Sequence, residues 1–544
     1  MTQPEVNKVN EPAVGAYQQD FGLRAGRRVF LVAFLVCFGA SAIWSAATPL
    51  LAAPDEPAQI AKAAAVEHGI WTGCFSYDAS LGHCVPDPSN PNASEKLPAF
   101  FALVLAPDGA DPSCFIHKPH VPASCARSLN RSASAFDVRR AYNRYAYTYV
   151  ARYPPLYYLV VGLPARLGGS SIDLYLMRLI SAVLSSIFLA LAFTTATLWS
   201  RNRILPLGIL LAVTPMVLFL AGVVNPSGLE ISASIAAWTA GTVLVTEQLP
   251  NPPSGLLAVL VVASATLALS RSLSPFWVGC LLLVLLALAR RTELLQALHD
   301  RRVHYAIAAI GAALVGALAW IVPEHALLQY VGNHVGVPSG VSTWTILETA
   351  FRRNSYYLPD MVGVFGWFDS YSPLATFIIW GGLLAALVTG AIALGGRRAL
   401  SVLSLMGAAV VLIPTFIVAS HAHQYGYNWS GRDALPLAVG LPIVASALLR
   451  RREVPETPNV GRSLAITVVA LLSASQFLAF YETLRRYAVG THGALLGFLL
   501  HPSWRPAIGV FPALALEALA TSALGYLAFV LHQVPLAAQS RSEP

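Results

Sequence analysis

RRVFLVAFLVCFGASAIWSAATPLLAAPDEP, residues 27–57, decides what kind of protein this is. A polar leader of about 28 residues ends in Arg27 and Arg28, and an apolar run then fills Val29–Leu51. Roughly 20 helical residues cross the hydrocarbon core of a bilayer, so the run is long enough to span. A secretory signal has a shorter apolar core and lacks such a leader, so this segment is expected to be a retained signal anchor. Arg24, Arg27 and Arg28 hold its start on the cytoplasmic side, by the positive-inside rule. Pro54-Asp55-Glu56-Pro57 then emerges at the opposite membrane surface, two adjacent carboxylates between two prolines.

The rest of the chain agrees with this start. Of 544 residues, 56% are hydrophobic and only 11% charged, with a mean hydropathy of +0.60. Soluble domains carry about a quarter charged residues, so the composition is that of a membrane protein. The net charge of +8 does not mark a nucleic-acid binder, because most arginines sit in short clusters between apolar runs. Twelve such runs can be marked, at about 29–51, 172–199, 204–224, 228–246, 255–270, 273–289, 303–322, 374–395, 399–419, 434–449, 463–483 and 507–531. Alternating from an inside N-terminus puts Arg201/Arg203, Arg290/Arg291/Arg301/Arg302, Arg397/Arg398 and Arg450/Arg451/Arg452 all in cytoplasmic turns. The stretch from Pro154 to Leu167 is too short to span and would reverse every later turn, so it reads as an interfacial or re-entrant helix.

The expected architecture is therefore an all-α polytopic membrane protein of about 12 transmembrane helices (range 10–13), with a large extracytoplasmic first loop. It divides into a cytoplasmic tail (1–28), the first transmembrane helix (29–51), an extracytoplasmic loop with juxtamembrane helices (52–171) and transmembrane helices (172–322). A second extracytoplasmic loop (323–373), further transmembrane helices (374–531) and a cytoplasmic tail (532–544) complete it. Residence in a bacterial inner membrane is expected, with both termini cytoplasmic.

Four of the six cysteines, Cys74, Cys84, Cys114 and Cys125, fall in the first outer loop, where an oxidising compartment would form disulfides. Closeness in sequence favours Cys74–Cys84 and Cys114–Cys125 among the three pairings that four cysteines allow. These spacings are not the short C-x-x-C pairs of zinc ribbons.

Asp55 and Glu56 are the sharpest candidates for chemistry. A bland alternative makes Asp55 a helix N-cap with Pro57 in the first turn. The functional alternative starts from position: a carboxylate at the interface can take a proton from an acceptor hydroxyl as a bond to a membrane-bound phosphate breaks. The anionic leaving group then needs arginines. Arg432, in Trp429-Ser430-Gly431-Arg432-Asp433, and Arg152, beside Tyr153-Pro154-Pro155, are the leading candidates, with Arg271 and Arg178 behind them. Tyr153 and Tyr157 head an aromatic-rich stretch, Asp360 and Asp369 lie in the second outer loop, and His421 and His423 form a weak H-x-H signal. No metal-ligand set with reliable spacing occurs, so the sequence names no cofactor and leaves a divalent cation undecided.

In their order, Pro54-Asp55-Glu56-Pro57, Tyr153-Pro154-Pro155-Leu156-Tyr157-Tyr158, Gly366-Trp367-Phe368-Asp369 and Gly431-Arg432…Leu435-Pro436 resemble a bacterial family of multi-pass membrane proteins of unknown function. That family is usually placed near the GT-C glycosyltransferases. The resemblance covers about residues 30–450 and implies inverting transfer of a sugar from a polyprenyl-phosphate donor to a glycan or lipid acceptor. It matches Asp55 to the acidic catalytic position, with Glu56 as neighbour or substitute, and Arg432 to the donor phosphate. The chain departs from the pattern at Gln59, Ser227 and Asp433. The competing function classes are a lipid or glycan transporter and a non-catalytic envelope-assembly subunit. Crowding of charge on one external face, without a visible half-repeat, favours the transferase over the transporter.

Overall fold

A computed structural model describes side chains over residues 24–72, 114–126 and 150–533, apart from 168–170, 248, 250, 325, 328–335 and 450–459. Of 11–23, 112–113, 458–459 and the short strands 76–78, 83–85, 95–98 and 145–148 it gives the backbone. Cys74 and the side chain of Cys84 lie outside the described residues, so their pairing does too.

The described chain is helical almost throughout. The helices are α1 (Glu11–Ala47), α2 (Glu56–Glu67), α3 (Leu156–Val161), α4 (Ser171–Trp199), α5 (Leu205–Ala212), α6 (Pro215–Ala221) and α7 (Pro226–Thr246). They continue as α8 (Ser254–Ser270), α9 (Ser274–Leu288), α10 (Arg291–Ala297), α11 (Arg301–Ile321), α12 (Thr343–Arg352) and α13 (Asn354–Gly363). The last are α14 (Leu374–Tyr425), α15 (Leu435–Ala438), α16 (Gly440–Leu448), α17 (Pro458–Val489) and α18 (Val510–Gln533). Among the described residues, eight helical segments are long and apolar enough to cross a membrane.

Each of the twelve apolar runs falls on a helix or a helix pair, and the difference from twelve full spans has local causes. Pro215 cannot donate a backbone hydrogen bond, so the 204–224 run breaks into α5 and α6, with the Thr214 hydroxyl accepting from Val217 N at the break. Helices α8 and α9 have 17 and 15 residues, short of a full crossing. In the opposite sense, α14 holds two runs joined at Gly396, whose φ of 69° only glycine takes without strain. Arg398, just past that kink, donates to the terminal carbonyls of α9 at Leu288 (2.6 Å) and Ala289 (2.9 Å).

Helix α7 is the centre of the bundle. It packs against α4, α8, α9 and α16, and it is buried on all sides, as a helix apolar around its whole circumference must be. At the outside, α11 leaves Ile307, Val315 and Leu318 exposed, the pattern of a face turned to lipid. At the end of the bundle where α1 stops, Trp44 is wedged among Phe219, Phe365 and Phe480 at 5.5, 4.9 and 5.0 Å between ring centres. That wedge ties α1 to α6, to α17 and to a small antiparallel hairpin, β1 (Val364–Phe365) and β2 (Ser370–Tyr371). The Pro154–Leu167 stretch is a short helix running into a 3-10 turn, not one of the eight long segments.

Candidate functional site

Pro54-Asp55-Glu56-Pro57 is a strained corner clamped from three sides. Leu51 (φ 69°) and Asp55 (φ 61°) both take the left-handed backbone region, which bulky L-residues enter at a cost. Asp55 stands at the N-cap position of α2 with Pro57 in the first turn, but its side chain makes no helix-capping hydrogen bond. The corner is held instead by Glu56, which is wholly buried. Its Oε1 accepts from Arg178 Nε (2.7 Å) and Val224 N (3.1 Å); its Oε2 accepts from Arg178 NH2 (2.6 Å) and Leu51 N (3.0 Å). Arg178, equally buried, gives its three other N–H groups to Ser45 O (2.9 Å), Thr48 O (2.7 Å) and Pro49 O (2.9 Å), the open carbonyl end of α1. All five guanidinium donors are thus used, and so are both carboxylate oxygens. From the other side Asn225, the N-cap of α7, donates to Pro54 O at 3.0 Å.

With Glu56 turned inward, Asp55 faces outward. Its Oδ2 pairs with the NH2 group of Arg432, a residue 377 positions away, and the two side chains remain 21% and 9% exposed. The Gly431-Arg432 turn is seated on α13 so closely that only glycine fits. A Cβ at Gly431 would lie 2.0 Å from Tyr357 O and 2.6 Å from Asp360 Cβ. Gly431 N also donates to Asp360 Oδ2 (3.3 Å), and burial pushes the Asp360 carboxyl up to about 7.

Beside this pair lies a second one. Arg271, in the turn between α8 and α9, pairs with Asp433 (2.8 Å) and Glu230 (3.3 Å) and lies over the Tyr153 ring at 5.7 Å. Glu230 is completely buried and also accepts from Ser274 Oγ (2.6 Å). The structure therefore brings together Asp55, Arg432, Asp360, Asp433, Arg271, Glu230 and Tyr153.

The Gly366-Trp367-Phe368-Asp369 turn between the hairpin strands reaches in several directions. Trp367 Nε1 donates to Leu51 O (3.3 Å), and the ring of Phe368, itself at φ 60°, lies under the Arg432 guanidinium at 5.8 Å. Asp369 points away from Asp55 into a buried pair with Arg486 NH2 (2.6 Å). Arg486 also donates to Phe115 O (2.8 Å) and Val121 O (3.2 Å), so this pair fastens the segment closed by the Cys114–Cys125 disulfide.

Other sequence candidates lie elsewhere. Tyr157 is buried with its hydroxyl 3.0 Å from Ser181 Oγ, and Arg152 reaches Glu324 O (3.4 Å) at the end of α11. His421 and His423, at the end of α14, bond to Ile417 O (3.2 Å) and Val337 O (3.0 Å). Among the described residues no group of three or more His, Cys, Asp or Glu side chains is placed to hold a metal ion. Sequence reasoning missed Glu230, which lies inside an apolar run; an ionisable residue within a run is the signal that could have found it.

The family described as Predicted membrane protein (DUF2142) matches residues 38–441. The chain belongs to the DUF2142 family. The matched span includes the Glu56–Arg178 knot and the Asp55–Arg432 pair, whereas Arg486 lies beyond it. No curated protein matches the chain. Two solved structures of ArnT from Cupriavidus metallidurans are distantly similar. In the apo state the identity is 17%, over 71% of this chain and 68% of that one, with a TM-score of 0.38. Bound to undecaprenyl phosphate, it is 17% over 73% and 69%, with a TM-score of 0.36. Similarity this distant assigns no residue of the DUF2142 protein a role.

Proposed function

We propose that this DUF2142 protein is a GT-C-type glycosyltransferase that moves a sugar from a polyprenyl-phosphate donor to an envelope glycan or glycolipid on the extracytoplasmic side. The observation that carries the reading is the pairing of Asp55 with Arg432. It sets a part-exposed carboxylate against a guanidinium at one end of the helix bundle, as proton removal beside a phosphate leaving group requires.

The four hydrogen bonds that fill the Glu56 oxygens favour Asp55 as the base. Asp55 takes the proton of an acceptor hydroxyl; the acceptor oxygen bonds to the anomeric carbon from the face opposite the phosphate. The carbon–oxygen bond to the phosphate breaks, its electron pair stays on the phosphate oxygen, and the configuration inverts. Arg432 holds the charge that appears there. Next to this turn, an apolar cavity of about 420 Å³ is lined by Leu358, Met361, Trp380, Val410, Leu435 and Pro442, among others. A pocket of that lining beside a cation suits an anionic headgroup on an isoprenoid tail.

The test is release of free polyprenyl phosphate by purified protein in nanodiscs, given a panel of polyprenyl-phosphate sugars and crude envelope acceptor. One active donor, silenced by Asp55→Asn and by Arg432→Gln, supports the reading. Folded protein that releases nothing from any donor, with acceptors varied, rejects it in favour of transport or assembly.

A further inference from the structure

We infer, on the basis of the transfer proposed here, that donor phosphate and Asp55 compete for Arg432, so the donor releases the base that acts with it. The two arginines of the cluster are already matched. Asp55 holds Arg432, while Asp433 and Glu230 hold Arg271, and Asp360 adds a fourth carboxylate beneath Gly431. An anion approaching an arginine that already holds a carboxylate is repelled unless that carboxylate gives way.

Glu230 accepts from Ser274 Oγ (2.6 Å), Asp433 from Ser430 N (3.2 Å) and Asp360 from Gly431 N (3.3 Å). Asp55 holds the NH2 group of Arg432, one of the groups that a phosphate would take. Arg432, by contrast, is anchored without it: Gly431 is wedged on α13 and the Phe368 ring lies under the guanidinium. The backbone around Asp55 is pinned by the Glu56–Arg178 knot and by Asn225. Exchange thus requires side-chain rotation at Asp55 and no movement of a helix. In the resting state the carboxylate is engaged with Arg432; once phosphate takes Arg432, the same oxygen turns to the acceptor hydroxyl. The base is thus held back until donor is in place.

The consequence has an unusual sign: removing the base should tighten donor-lipid binding. The measurement is equilibrium binding of a polyprenyl phosphate to the full chain in nanodiscs, with the unphosphorylated polyprenol as control. Asp55→Asn and Asp55→Ala are expected to bind about three- to tenfold more tightly than wild type, the weight of one partly exposed ion pair. Arg432→Gln should bring the phosphate down to the level of the polyprenol. Thermal melts establish that each variant is folded. Phosphate-preferring binding that is unchanged or weaker in both Asp55 variants overturns the competition and leaves the proposed transfer standing. Wild type that binds phosphate no better than polyprenol, like every variant, removes both together.

Discussion

Asp55 and Glu56 are neighbours of the same chemical type, yet the fold gives them opposite surroundings. Glu56 is sealed: no solvent reaches it, and two backbone N–H groups and two guanidinium N–H groups fill its oxygens. Asp55 is open, its one described ion pair facing a partly solvated cluster. The left-handed backbone at Asp55 causes the split, because it sends the two side chains to different sides of the corner. A buried pair with every donor and acceptor matched is a structural joint. A part-exposed pair of the same composition can exchange partners, which is what binding and catalysis need.

The largest expected effect comes from breaking the sealed pair. Glu56→Gln leaves Arg178 buried without its counter-charge, and Arg178→Met strands Glu56; loss of one partner of a buried pair costs about 3–5 kcal/mol. Either variant should fall sharply in yield of monodisperse protein and in melting temperature. The double variant should recover part of the loss, because no uncompensated charge remains. If Glu56→Gln melts like wild type and loses only activity, Glu56 is chemical after all and the contrast with Asp55 collapses.

The open pair should behave in reverse. Asp55→Asn is expected to cost much less stability than Glu56→Gln, because Asp55 is part-exposed, while lowering the rate of polyprenyl phosphate release about 10²–10⁴-fold. Melting curves and single-donor turnover, run on the same preparations, separate the two. A variant that is both unstable and inactive would make Asp55 a second structural joint.

How much of this was legible in the sequence follows from range of interaction. Hydrophobic runs are local, so the helices within the twelve runs could be placed, and Pro-Asp-Glu-Pro and Gly-Arg could be singled out as candidates; α12 and α13 carry no such run and were missed. Which carboxylate turned inward was not legible, because it depends on Arg178, 122 residues away, and on the φ angle at Asp55. Arg152 and Arg271 show the same limit. Both stand near ends of apolar stretches, and only packing of the α8–α9 turn against α7 brings Arg271, rather than Arg152, to Asp433. Tyr153 and Tyr157 are four residues apart, one beneath Arg271 and the other in the core.

A smaller effect is expected from a further carboxylate pair, Asp369–Arg486, set beside Glu56–Arg178 and Asp55–Arg432. It lies between the other two in character, since it is buried but fastens a peripheral segment. Opening the Cys114–Cys125 bridge with Cys114→Ser and Cys125→Ser should cost about 2–3 kcal/mol, as for a short closed loop. Donor-lipid binding should be nearly unchanged, because Arg432 does not touch that segment in any described bond. A large loss of binding would mean that the segment closes over the donor.

The smallest effect, and the finest probe of the open side, is at Asp360. Burial holds its carboxyl at about 7 in the folded protein against an ordinary value near 4, so the folded state binds the proton more tightly than the unfolded one. The sign follows: its contribution favours the folded state at low pH and is lost as pH rises from about 4 through about 7. In detergent, the melting temperature of wild type should therefore fall between pH 6 and pH 8 more than that of Asp360→Asn, which has nothing to titrate there. The same ionisation places a new negative charge beneath Gly431, beside Arg432, and so should weaken phosphate binding over the same interval in wild type and not in the variant. Matching pH profiles for the two proteins would show that Asp360 does not titrate over this interval. The open side would then hold a fixed charge, and its readiness to accept an anion would rest on Asp55 alone.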